Sequence, residues 1–213
     1  MNHLVLIGDS IFDNASYVSG GLDVIAHLKN EIPRGWKGTL SAVDGGMVSG
    51  IQVQISNLPA DATHLIISAG GNDAINQAGI LDEIDPSTVQ TLNRMADISD
   101  EFEALYRGML IDVLHLGLPT AVCTIYYPRF PDPFINRAAC LALGVFNDVI
   151  IRSAFAAGVP LIDLRLVCEK DEDFANPIEP SDIGGKKIAA AIYRLVSEHD
   201  FSKGRTEVFC SSH

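Results

Sequence analysis

The sequence predicts an α/β protein with a single domain, a three-layer αβα sandwich around a five-stranded parallel sheet. Short aliphatic runs alternate along the chain with longer segments whose apolar residues recur at helical spacing. Three of the aliphatic runs end in polar turns that contain glycine. The length of 213 residues and the 47% of hydrophobic residues suit one well-buried core rather than two.

Each predicted strand is a short run rich in aliphatic or β-branched residues, bounded by Gly, Pro or polar residues. The five runs are residues 3–7, 38–43, 64–69, 120–126 and 160–163. The first three are followed by Gly8-Asp9-Ser10, Asp44-Gly45-Gly46 and Gly70-Gly71-Asn72-Asp73. A polar, glycine-bearing turn therefore follows each of the first three strands.

The predicted helices lie between these strands. Apolar residues at helical spacing mark residues 17–29, 51–58, 86–115, 141–150 and 180–196. The stretch 127–133 is too rich in proline for a helix or a strand, and 169–179 is a polar loop. We assign residues 1–200 to the domain and residues 201–213 to a polar C-terminal tail.

Right-handed crossovers between the strands place helices on both faces of the sheet and favour the flavodoxin-like strand order 2-1-3-4-5. In that order the carboxyl ends of strands one to three meet at one crevice. Ser10, Gly45 and Asn72 are then expected to face a common reacting atom.

Charge and composition exclude several classes of partner. The chain has 27 acidic and 15 basic residues, a net charge of −12, and no basic run, which argues against nucleic acid. No charged and apolar leader precedes the first strand, and no uninterrupted apolar run approaches ~18 residues. We therefore expect a cytoplasmic protein without membrane insertion. The oligomeric state is left open.

The spacing of the metal-ligating residue types predicts neither a metal site nor a disulfide frame. The four cysteines are far apart and form no C-x-x-C pair, so reduced thiols are expected. They are Cys123, Cys140, Cys168 and Cys210. No phosphate-binding glycine motif is present either, and we predict no cofactor.

The residues at the three strand ends suit ester hydrolysis. That reaction needs a nucleophile, hydrogen-bond donors for the developing oxyanion, and a base for the nucleophile's proton. Ser10 is the candidate nucleophile. The N–H groups of Ser10 and Gly45 and the amide of Asn72 are candidate oxyanion donors, with Gly46 and Gly50 as alternatives to Gly45. The alternative for Ser10 is a helix N-cap.

These motifs, in this order, resemble the SGNH hydrolases, also called GDSL esterases and lipases. The resemblance spans residues 3 to 196. It implies that Ser10 is the nucleophile and that Gly45 and Asn72 complete the oxyanion hole. It also implies a carboxyl-terminal Asp-x-x-His as the base and its orienting group.

The fourth motif departs from the family pattern. Where Asp-x-x-His is expected, the chain reads Asn176-Pro177-Ile178-Glu179. None of the six histidines occupies a position from which it easily substitutes. The resemblance therefore implies the catalytic positions Ser10, Asn176 and Glu179, with a carboxylate in place of the imidazole.

Glu179 has two interpretations. As the base, it accepts the Ser10 proton directly, and partial burial raises its pKa above the ordinary ~4.3 by a unit or more. The acid limb of kcat/KM would then lie at about 4.5–6. Alternatively, Glu179 only stabilises the positive end of the last helix. Asp163 is the alternative base, but we expect it instead to orient the loop that carries Glu179.

Tyr126, Tyr127 and Arg129 follow strand four and are candidate substrate-binding residues, although a stiff surface loop is an equal alternative. We conclude that the chain is a serine hydrolase of acyl or acetyl esters, with a small-molecule ester as its partner. The alternative is a weak or inactive ligand-binding protein on a hydrolase fold.

Overall fold

The computed structural model describes residues 1–82 and 87–211. Six parallel strands form one sheet in the order β2-β1-β3-β4-β5-β6. The strands are β1 (His3–Gly8), β2 (Lys37–Leu40), β3 (His64–Ser68), β4 (Thr120–Cys123), β5 (Leu161–Ile162) and β6 (Val208–Phe209). The α-helices are α1 (Val24–Glu31), α2 (Ile51–Ile55), α3 (Gly71–Asn76), α4 (Thr88–Leu114), α5 (Pro133–Ala157) and α6 (Asp182–Glu198).

The three-layer sandwich and the parallel sheet are confirmed. Along β1, Leu4 and Leu6 pack with residues of α1 and α6 on one face. Val5 and Ile7 pack on the other face with residues of α2, α4 and α5. Because successive side chains of a strand point to opposite faces, one aliphatic run supplies both cores.

The number of strands is a correction, because a sixth strand joins the edge of the predicted five. The Leu161 N–H donates to the Glu207 carbonyl at 2.9 Å, and the Asp163 N–H donates to the Phe209 carbonyl at 2.8 Å. Phe209 is buried in the same core as α6. A strand of two residues in a polar stretch is too short to show a hydrophobic period in the sequence. It forms because carbonyl groups along this stretch accept hydrogen bonds from the otherwise unpaired N–H groups at the edge of β5.

The largest differences from the predicted helices are at the start of α1 and at both ends of α5, which the structure extends to Pro133–Ala157. α1 begins at Val24 rather than at residue 17, because the Asp23 side chain caps it by accepting from the Ala26 N–H. α5 begins at Pro133 rather than at residue 141, because proline fits the first turn of a helix and the Asp132 side chain caps it. The predicted start of the long helix at Pro86 lies outside the described residues, and α4 begins at Thr88.

Within the described part of the chain, α5 alone has the length and apolar composition to cross a membrane, and that is weak evidence. The helix packs against α4 and gives Phe146, Val149 and Ile150 to the core over the sheet. Its first half is much less buried than its second half.

Candidate active site

The turn after β1 holds the candidate nucleophile and is closely packed. Gly8 has φ +130°, and a Cβ there would lie 1.7 Å from the Ser68 carbonyl oxygen, so only glycine fits. The buried Gln54 side chain makes two hydrogen bonds to the backbone of Gly8. Its Oε1 accepts from the Gly8 N–H at 2.6 Å, and its Nε2 donates to the Gly8 carbonyl at 2.8 Å.

Sequence reasoning missed Gln54, whose only signal was its place as a polar residue within the apolar pattern of α2. Asn147 makes the same pair of contacts to Ile125, just after β4. Two amide side chains therefore fix the chain where β1 and β4 end.

Ser10 and Glu179 form the central contact of the site. The Ser10 Oγ donates to the Glu179 Oε1 at 2.9 Å, across 169 residues of sequence. The two residues are only 8% and 5% exposed. Neither residue caps a helix: Asp23 caps α1, and Ser181 caps α6 through the Gly184 N–H. The hydrogen bond is the arrangement that a direct serine–carboxylate dyad requires.

Asn176 acts on Glu179 through the backbone. Its Oδ1 accepts from the N–H groups of Ile178 and Glu179 at 2.9 and 3.0 Å. The Ala175 N–H donates to the Glu179 carbonyl at 2.9 Å and closes the turn. Asn176 therefore positions Glu179 through the backbone and makes no hydrogen bond to Ser10 within the described structure.

Other parts of the chain hold the same loop against the sheet edge. The Tyr126 hydroxyl donates to the Ile178 carbonyl at 2.6 Å, and the Arg129 N–H donates to the Pro177 carbonyl at 2.8 Å. The fully buried Asn14 donates its amide to the Pro180 carbonyl at 3.1 Å. The carboxylate of Glu179 is therefore held on a loop with many anchors, which favours a preorganised base.

Burial raises the pKa of Glu179 to about 7. The hydrogen bond from Ser10 opposes this shift, and the negative charge of Asp44 adds to it. The Oε2 atom is buried and has no hydrogen-bond partner among the described residues. A base whose pKa lies near neutral pH is well matched to serine activation. If Glu179 is the base, the acid limb of kcat/KM should lie near pH 7, above the 4.5–6 that the sequence suggested.

Glu179→Gln is expected to stabilise the fold above pH 7. The folded pKa is raised, so the unfolded state binds fewer protons than the folded state between about pH 4.5 and 7, and stability falls with pH there. The cost of the buried charge is absent below about pH 4.5 and complete above about pH 7. Removing it should add roughly 1–3 kcal/mol to the free energy of unfolding at pH 8.

Urea unfolding of both proteins at pH 5 and pH 8 measures this effect. The matched control is Glu169→Gln, an exposed glutamate near the same loop. Equal gains at both pH values would contradict the assignment of a raised pKa to Glu179.

Asp9 is a second buried carboxyl beside the nucleophile. Burial raises its pKa to about 7, against hydrogen bonds from the Ile11 N–H and the Ser68 hydroxyl. Both donors bind its Oδ1 at 3.2 Å. Because Asp9 makes no hydrogen bond to Ser10 within the described structure, the geometry favours Glu179 as the base.

The hydrogen bonds of the segment after β2 distinguish the candidate oxyanion donors from one another. Gly46 donates its N–H to the Val43 carbonyl, and Gly50 donates its N–H to the Met47 carbonyl. Gly45 has φ +75°, and its N–H has no acceptor in the described part of the chain. The Asn72 Nδ2 donates one hydrogen to the Gly46 carbonyl at 3.0 Å, which orients the amide and leaves the other hydrogen free.

A cavity of about 400 Å³ opens beside this site. Ser10, Asn72 and Glu179 lie at its polar end, and mainly apolar side chains of α3, the 3₁₀ segment Ala78–Asp82, α4 and α5 form the rest of its wall. Size and lining match a pocket for the apolar part of a small molecule. No sequence motif marked this wall, because it consists of ordinary helix faces.

The three candidate substrate-binding residues separate in the structure. Tyr126 lines the cavity, whereas Tyr127 and Arg129 are not among its lining residues. The Arg129 guanidinium pairs with Asp171 at 3.2 Å and lies over the Phe174 ring at 5.0 Å. Tyr127 lies near Arg165 instead, and Asp163 and Tyr127 together raise the pKa of that guanidinium. Arg129 is therefore placed to support the Glu179 loop.

Asp163 does not bond to the Glu179 loop in the described structure. Its carboxylate accepts from the Thr124 hydroxyl at 2.9 Å and pairs with Arg165 at 2.6 Å. Burial raises its pKa, but these partners outweigh burial, and the pKa lies below its ordinary value. This pairing makes Asp163 a poor base and replaces the orienting role expected of it.

The histidines lie away from the site, as expected. None of the five described histidines lines the cavity, and His213 lies outside the described residues. His27 bonds to Asp182 at 2.8 Å, and His199 bonds to Glu207 at 2.7 Å.

No protein-family model and no curated protein sequence matches the chain. Solved structures do match. A lipase from a goat rumen metagenome has a TM-score of 0.69 and 16% identity over 91% of this chain and 96% of its own. An acetyl xylan esterase has a TM-score of 0.66 and 16% identity, with 91% and 99% covered.

A third match is a phospholipase A1 from Streptomyces albidoflavus. It has a TM-score of 0.62 and 18% identity over 93% of this chain and 99% of its own. A match described as a member of the lipolytic G-D-S-L family, from Veillonella parvula, has a TM-score of 0.61. The resemblance in the sequence motifs is thereby confirmed in the architecture: the chain has the fold of the SGNH, or GDSL, lipases and esterases.

Proposed function

We propose that this protein is a serine hydrolase that cleaves carboxylic esters through an acyl-enzyme on Ser10, with Glu179 as the direct base. The observation that carries the proposal is the buried 2.9 Å hydrogen bond from the Ser10 Oγ to the Glu179 Oε1. It lies at the polar end of an apolar cavity, where a reacting ester would fit.

The proposed reaction has two halves. Glu179 takes the Ser10 proton while Oγ attacks the carbonyl carbon, and the resulting oxyanion accepts from the N–H groups of Ser10 and Gly45 and from the Asn72 amide. Protonated Glu179 then gives its proton to the leaving alkoxide, and the acyl-enzyme remains. In the second half Glu179 takes a proton from water as the water oxygen attacks the acyl carbon; the bond from that carbon to the Ser10 Oγ then breaks, the proton passes to Oγ, and the carboxylic acid leaves.

The substrate class follows from the cavity. Its long wall is apolar, and no charged side chain other than Asp9 and Glu179 lines it within the described chain. A large apolar acyl group would bury more surface there than an acetyl group would. Among the structural matches, a lipase and a phospholipase fit this chemistry better than an acetyl xylan esterase. We infer an ester with an apolar acyl chain longer than acetyl.

A fluorophosphonate probe tests the proposal, since it attaches covalently only to an activated serine. Wild type is expected to be labelled and Ser10→Ala is not. In a panel of p-nitrophenyl esters, kcat/KM should rise from acetyl to longer acyl chains, because each buried methylene contributes about 0.8 kcal/mol.

The alternative function is a binding protein that keeps the oxyanion site without turnover. Absence of labelling in folded wild type, together with retained binding of a non-hydrolysable ester analogue, would favour that alternative.

A further inference from the structure

The mouth of the cavity is bordered by large apolar side chains that face solvent. Ile75, Leu81, Phe134 and Ile135 line the cavity and are 46%, 42%, 85% and 50% exposed. Leu141 is 78% exposed on α5. We call these five residues the mouth patch. Soluble proteins rarely leave so many large apolar side chains together in water unless the surface binds something.

The mouth patch has a regular arrangement on α5. Phe134, Ala138 and Leu141 are spaced i, i+4 and i+7, which places them along one stripe of the helix. Ala138 lines the cavity, so the stripe runs along its opening. The exposed stripe and the cavity wall are therefore one continuous apolar surface.

The charges around the mouth patch restrict its partner. Among residues 133–147 of α5 only Arg137 carries a charge, and the chain as a whole has a net charge of −12. An anionic surface would be repelled by the chain, and the patch offers no cluster of basic residues to attract one. We therefore expect a partner that has an apolar interior beneath an uncharged or zwitterionic surface.

A second copy of the chain suits this surface less well. A dimer through the mouth patch would cover the opening through which an ester must enter, and it would bring together two chains of net charge −12. A lipid surface has neither disadvantage, because the bound surface itself supplies the substrate.

We propose that the mouth patch seats the protein on an uncharged or zwitterionic lipid–water interface, so that an acyl chain passes from the lipid into the cavity without crossing water. This inference rests on the proposed function for the role of the cavity, although the docking step itself needs no catalysis. Apolar side chains on one face of a helix bind such interfaces by burying area among the acyl chains.

Flotation with phosphatidylcholine vesicles tests docking in the full chain carrying Ser10→Ala, which prevents hydrolysis during the measurement. The Ser10→Ala protein is expected to float with the vesicles. Adding Phe134→Ser with Leu141→Ser should lower the partition coefficient by about tenfold or more, since two large apolar side chains are removed from the contact.

The matched control is Phe155→Ser. Phe155 lies at the other end of the same helix, is 56% exposed and does not line the cavity. Its replacement should leave flotation unchanged. Equal flotation of the Phe134→Ser/Leu141→Ser variant and the Phe155→Ser variant would overturn the proposal. Absence of flotation of the Ser10→Ala protein, or flotation only with anionic vesicles, would overturn it as well. A dimer that Leu141→Ser dissociates would assign the mouth patch to a second copy.

A kinetic measurement separates this inference from the proposed function. In the otherwise wild-type chain, Leu141→Ser should leave kcat/KM for a soluble short ester within about twofold and lower the rate on vesicle-embedded ester by about tenfold. Loss of both rates in a Leu141→Ser protein that circular dichroism shows to be folded would overturn the proposal. Absence of soluble-ester hydrolysis in wild type would contradict the proposed function and leave the flotation result to be judged separately.

Discussion

Glu179→Gln is expected to lower kcat/KM for a soluble ester by about 10²–10⁴-fold, the range for loss of a general base. Gln keeps the size of the side chain but cannot take the Ser10 proton across the 2.9 Å contact. The wild-type rate should fall as pH drops through about 7, because protonation of Glu179 removes the base. The residual rate of the variant should lose this dependence.

Two control variants make this result specific. Glu169→Gln removes an exposed glutamate that lies ten residues before Glu179 in the same chain, and it should change kcat/KM little. Asp9 has a pKa raised to about 7 as well, so Asp9→Asn is measured in parallel and should keep the acid limb. Folded Glu179→Gln with the wild-type rate at every pH would rule out the dyad.

Asn72→Ala is expected to lower kcat by about 10²–10³-fold with little change in KM, as for other losses of one oxyanion donor. The Gly46 carbonyl holds one amide hydrogen, so the other is already directed before the substrate arrives. The charge that it stabilises develops only in the transition state, which is why kcat rather than KM should respond.

Asn76→Ala is the matched control, because Asn76 lies in the same helix, is exposed, and donates its amide to the Met47 sulfur at 3.4 Å rather than to a backbone group of the site. It should keep the wild-type kcat. Asn72→Asp should be no better than Asn72→Ala, since a carboxylate would repel the oxyanion. A rise in KM with an unchanged kcat would mean that Asn72 only binds substrate.

Residues that contact each other through neighbouring strands were predictable, and residues that meet only through packing were not. The motifs after β1 and β3 were readable because parallel strands bring their carboxyl ends together in any such sheet. Gln54 and Asn147 were missed, because a polar residue in a helix gives no sign of which backbone group it will reach. Tyr127 and Arg129 could not be separated from Tyr126 without the path of the loop.

By itself, the sequence determined the layered parallel architecture and the strand-end positions of Ser10 and Asn72, because these follow from local periodicity and short turns. It also placed Glu179 before the last helix. Only the tertiary structure decided that Glu179 meets Ser10, that its pKa is raised, and that helices α4 and α5 enclose an apolar cavity. The physical reason is that contact, burial and cavity shape depend on segments far apart in the chain, and local pattern carries no record of them.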